Sequence, residues 1–144
     1  MSKEIVIGNL RLGGSNHVRI QSMTNTPTDD VKATVNQTIE LCDNGCELVR
    51  ITTRNIRDVN CLSEIKEELV RRNCLVPVIA DVHFNPKVAE LSASVVEKVR
   101  INPGNYIVTL ENVLAALQGK CEEIALDPEI MAAALVPIER MLAL

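Results

Sequence analysis

Four pairs of polar residues, each pair separated by a single position, could do chemistry together: Arg19 with Gln21, Arg50 with Thr52, Asp81 with His83, and Arg100 with Asn102. Each lies at or near the end of a run rich in β-branched residues, and residues i and i+2 of a strand face the same side. If the strands are parallel, the pairs gather at one end of the sheet, where βα barrels carry their sites. A lone strand-end arginine is ordinarily solvated or salt-bridged. Four pairs at matched positions point instead to a common site. Three arginines against one aspartate give the set a surplus of two positive charges in a chain whose net charge is −4, so its ligand should be an anion. The planar guanidinium fork matches phosphate oxygens two at a time, which favours a phosphate or diphosphate. His83 can donate a proton or a hydrogen bond there, with Asp81 fixing its tautomer, or can be a turn residue bonded to backbone. His17 stands at the far end of its run and reads as structural. Gly13-Gly14 precedes a strand and reads as a turn, not as a phosphate loop.

The elements that must position these residues form a repeating pattern. Residues 4–13 are two short apolar runs around Gly8-Asn9, a hairpin that plugs or edges something larger. Strand-like runs follow at 17–23, 47–53, 76–82 and 98–102. Between them the spacing predicts a helix through Val31, Val35, Ile39 and Leu41, capped by Thr28 or Asp29 and ended by Asn44-Gly45. A second helix is predicted over about 56–72, and Asn85-Pro86 opens a short third one with proline at its first position. Nearly continuous apolar strands alternating with helices indicate parallel βα units covered on both faces. The expected fold is α/β, a partial (β/α)8 TIM-type barrel of about four units, with an amino-terminal hairpin and a helical carboxyl-terminal tail. The texture changes between Tyr106 and Thr109, dividing the chain into a barrel region at 1–106 and a tail at 107–144.

Composition narrows the function. At 47% hydrophobic and 24% charged, the 144 residues suit one globular domain. With no basic run, and with one Phe and one Tyr, the chain lacks the means to grip a nucleic-acid backbone or stack bases. No apolar run approaches the roughly 20 residues that span a bilayer, and the start carries no secretory pattern, so the expected setting is cytoplasmic and away from membranes. Five cysteines without a Cys-x-x-Cys pair signal neither a disulfide framework nor a zinc knuckle. Cys42 and Cys46, one helical turn apart, are too few for a closed metal site and read as ordinary helix residues.

The segments Arg19-Ile20-Gln21-Ser22-Met23-Thr24-Asn25-Thr26, Leu48-Val49-Arg50, Val76 through Asn85 and Val99 through Asn105 together resemble the amino-terminal barrel of 4-hydroxy-3-methylbut-2-enyl diphosphate synthase, over about residues 4–106. Asn85-Pro86-Lys87 and Tyr106 are most like the version with an extra inserted domain. The resemblance implies an iron–sulfur oxidoreductase of isoprenoid biosynthesis by the methylerythritol phosphate pathway. That family opens 2-C-methyl-D-erythritol 2,4-cyclodiphosphate by two-electron reduction and loss of a hydroxyl, with electrons from flavodoxin or ferredoxin. Carried over by motif, Gln21, Arg50, Asp81, His83, Arg100 and Asn102 would bind the cyclic diphosphate, with Asp81 orienting its neighbours. A [4Fe-4S] cluster is implied, but no cysteine here sits in the context of a cluster ligand. The tail, through Thr109–Leu114, Asp127–Ile130 and Pro137–Leu142, resembles the carboxyl terminus of quinolinate synthase.

Three functions follow as expectations. The first is the substrate-binding half barrel of such a synthase, an enzyme only together with the remaining strands and the cluster domain. The second is a non-catalytic truncated or chimeric fragment that at most binds phosphate ligands, or self-associates to cover open sheet edges. The third is a quinolinate-synthase-like protein.

Overall fold

The computed structural model describes residues 3–83 and 85–102, and the expected junction near Tyr106 and the whole tail lie outside them. A short antiparallel hairpin comes first, β1 (Ile5–Ile7) and β2 (Leu10–Leu12). Gly8 makes its turn at φ +58°, a left-handed conformation that side chains resist. Then follow β3 (Gln21–Met23), α1 (Val31–Asp43), β4 (Leu48–Thr53), α2 (Ile56–Arg71), β5 (Val78–Val82), α3 (Pro86–Ser92) and β6 (Lys98–Arg100). The four later strands form one parallel sheet in sequence order. This is the expected α/β arrangement of a partial TIM-type barrel.

Apolar burial fixes the layers. Val49, Ile51, Val78, Ala80 and Val82 point to one face of the sheet and pack in one core with helix residues including Val35, Leu62, Ile65 and Leu69. On the opposite face Leu48 and Ile79 are buried beneath Ile7 of the hairpin, with Ile5, Leu10 and Leu12 packed around them. The hairpin therefore plugs the amino-terminal end of the inner face. All five residues of β5 are buried, because both its faces are covered, and Asp81 is the polar exception.

Three local expectations are corrected. The run 17–23 yields only a three-residue strand, since Glu47 draws the segment before Gln21 to the sheet's amino-terminal end. The first helix is capped by Asp30, whose side chain accepts from the amide of Ala33. Thr28 instead donates to the carbonyl of Thr52 at 2.6 Å, tying the loop to the end of β4, and Asp29 faces Arg57 at 3.9 Å. The fourth strand ends at Arg100, so Ile101 and Asn102 lie just beyond it. No cap for the second helix is read from the sequence. Asn55 caps α2 by accepting from the amide of Asp58, and Pro86 opens α3 behind its cap Asn85. Gly45, at φ +92°, terminates α1.

Candidate functional site

Register decides which side chains can meet. Arg50 is opposite Ile79, which is opposite Lys98, and one step toward the carboxyl ends Thr52, Asp81 and Arg100 stand side by side. All six share the inner face, and two residues farther on His83 and Asn102 continue their strands' line on it. The hairpin fills the floor of this face and leaves the carboxyl-terminal end for polar groups.

Asp81 is the centre of the cluster, with only 4% of its side chain exposed. Arg100 Nη1 donates to its Oδ1 at 3.0 Å. Arg50 Nε faces Oδ2 at 3.4 Å, an ion-pair contact without hydrogen-bond alignment. His83 Nε2 stands 3.7 Å from the same oxygen. Arg50 Nη2 also meets the sulfur of Met23 at 3.6 Å, so its guanidinium is supported from β3 as well as from β5. A carboxylate buried between two guanidiniums is stable only because it is paired, and in return it fixes where their remaining donors point.

The sequence-predicted residues divide into three groups. Arg50, Asp81, His83 and Arg100 are brought together. Asn102 is half-buried just past β6, on the same line as Arg100. Gln21 and Arg19 stand apart. Gln21 is exposed at the start of β3, level with Leu48, which lies four residues below Thr52 or roughly 13 Å along the strand. Arg19 precedes β3 altogether, and its Nη1 donates to Glu47 Oε1 at 2.6 Å while its Nε donates to the carbonyl of Arg11. Glu47 also accepts from the amide of Ile20 and contacts His17 at 3.1 Å. That backbone bond, with Arg19 and His17 behind it, holds the Glu47 carboxyl down at about 2. Arg19 is thus part of a structural ion-pair group at the amino-terminal end.

Lys98 is the cation that sequence reasoning passed over. It is half-buried on the inner face of β6, and burial and the nearby Arg50 charge lower its pKa. Its spacing of two from Arg100 was the available signal. With Lys98 in place of Arg19, the inner face carries three cations against one carboxylate among the described residues.

The expected iron–sulfur cluster does not fit these residues. Among the described residues no group of three or more His, Cys, Asp or Glu side chains could hold a metal ion. Cys42, Cys46, Cys61 and Cys74 are all half-buried free thiols, and Cys121 lies outside the described residues. Among the described residues, no helix is long and apolar enough to cross a membrane.

Residues 2–126 match the family described as the GcpE TIM-barrel domain. The chain belongs to that family. Among curated relatives, one from Bacteroides fragilis is 51% identical over 106 residues, covering 74% of this chain and 17% of the relative. One from Protochlamydia amoebophila is 46% identical over 101 residues, covering 70% and 15%. One from Parabacteroides distasonis is 41% identical over 131 residues, covering 91% and 21%. Each is named 4-hydroxy-3-methylbut-2-en-1-yl diphosphate synthase (flavodoxin). The chain thus spans about a fifth or less of the length of these relatives. The resemblance of about residues 4–106 to 4-hydroxy-3-methylbut-2-enyl diphosphate synthase, read from the strand-end motifs, therefore holds. So does its partial TIM-type fold.

Proposed function

We propose that this chain forms the wall of a GcpE-type barrel that binds the diphosphate of 2-C-methyl-D-erythritol 2,4-cyclodiphosphate for reductive opening to 4-hydroxy-3-methylbut-2-enyl diphosphate. The observation that carries the reading is the convergence of Arg50 and Arg100 on buried Asp81 at the strand ends. Asp81 offsets the repulsion between the two guanidiniums and holds their forks toward the open end. Arg100, with 45% of its side chain exposed, has donors left for phosphate oxygens. Lys98 adds charge from below, and His83 and Asn102 extend the polar rim. The barrel residues bind and orient the ring, and none of them supplies electrons. The [4Fe-4S] cluster and the flavodoxin or ferredoxin that feeds it belong to protein outside the described residues, and the whole reaction takes place in the cytoplasm.

The test is titration of the chain with the cyclodiphosphate and, separately, with inorganic pyrophosphate. Arg100→Ala should weaken binding by about 1–3 kcal/mol, below the full value of a desolvated charge pair because Arg100 is partly solvated. Equal affinity in the variant would remove Arg100 from the site.

A further inference from the structure

A second cluster of reactive groups lies at the opposite, amino-terminal end of the sheet. Cys42 is in the last turn of α1, and Cys74 is in the link between α2 and β5, directly after Asn73 with its left-handed φ of 59°. Their sulfurs are 3.7 Å apart although 32 residues separate them in sequence. Both line an open cavity of about 430 Å³, together with Cys46, Leu10, Asn73 and Pro77. Small solutes therefore have access to the pair. Cys46 is held differently, with its sulfur 2.9 Å from the carbonyl of Leu48. The phosphate-site reading uses none of these thiols.

We propose that Cys42 and Cys74 are a dithiol modification site that a low-molecular-weight disulfide such as oxidised glutathione converts reversibly to an intramolecular disulfide. One cysteine sulfur attacks the reagent, whose S–S bond breaks and releases one reagent thiol, leaving a mixed disulfide on the protein. The second cysteine then displaces the other reagent thiol and closes the protein disulfide. Two protein S–H bonds are exchanged for one S–S bond, and the two electrons leave on two reagent thiols. Burial, and then the adjacent Cys74, push the Cys42 thiol up to about 12. Closure requires the sulfurs to approach from contact to the roughly 2.05 Å of a disulfide. The link after Asn73 and the end of α1 are both element termini, where such a displacement is least resisted. The bond would clamp α1 to the α2–β5 link, on the face away from the phosphate site.

The experiment uses the full chain incubated in glutathione buffers of increasing oxidised fraction, followed by intact mass, free-thiol counting and peptide mapping. The expected product is lighter by two hydrogens, shows Cys42 and Cys74 in one linked peptide, unfolds several degrees higher, and reverts with dithiothreitol. Cys61→Ser should leave it unchanged, and Cys42→Ser should give only a glutathione adduct on Cys74. A wild-type chain that stops at mixed disulfides, keeps all its thiols, or pairs Cys46 instead would overturn the proposal.

Discussion

Asp81 is a carboxylate shielded from water and faced by two guanidiniums, so its charge matters more than its shape. Asp81→Asn keeps the volume but leaves Arg50, Arg100 and Lys98 on one face with no counter-charge. We expect it to destabilise the chain by about 1–3 kcal/mol in urea denaturation, with solvent around Arg100 keeping the loss below that of a fully buried pair. Glu47 sets a different dependence. Its folded value of about 2 lies below its ordinary 4.5, so it binds fewer protons folded than unfolded. The stability it contributes is present above about pH 4.5 and is lost as pH falls toward 2. Glu47→Gln should flatten the stability profile across that window, and an unchanged acid limb would contradict this role. At this scale the sequence showed Arg50, Asp81, His83 and Arg100 through their i, i+2 spacing. It misplaced Arg19, because nothing in one dimension shows that a carboxylate 28 residues away, Glu47, will capture it.

The elements owe their limits to caps and their layers to two apolar clusters. Ile7 is 1% exposed over Leu48 and Ile79, and Ile7→Ala should cost about 2–4 kcal/mol by opening a cavity between hairpin and sheet. Gly45→Ala meets no atom within 4 Å, so its cost should be conformational alone, about 1 kcal/mol. Asn55→Ala should cost about 1 kcal/mol through loss of the α2 cap. Differential denaturation of the three variants checks the ranking, with the core residue largest. These elements were legible because parallel strands covered on both faces leave nearly unbroken apolar runs, as in β5. The boundaries were less so. Thr28, Asp29 and Asp30 are all competent caps, and tertiary bonds chose among them: Thr28 turns inward to Thr52 and leaves the amide of Ala33 to Asp30.

Across the whole molecule, the described sheet has β3 at one edge and β6 at the other, each hydrogen-bonded to one strand. A sheet edge that stays open favours pairing with another chain. We propose that copies of this chain associate through them, and sedimentation velocity should show a mass that rises with concentration; a constant monomer would exclude such pairing. The relatives named as synthases are several times longer, and phosphate binding, not the reduction, is what this chain's own residues can be tested for. The most direct measurement is the thermal midpoint of the chain with and without saturating 2-C-methyl-D-erythritol 2,4-cyclodiphosphate, since a ligand that binds only the folded state must raise it. We expect a rise of several degrees that Arg50→Ala and Arg100→Ala each reduce and Arg19→Ala, after correction for its own stability, does not. A midpoint indifferent to the ligand, or a shift that survives both site variants, would contradict the account.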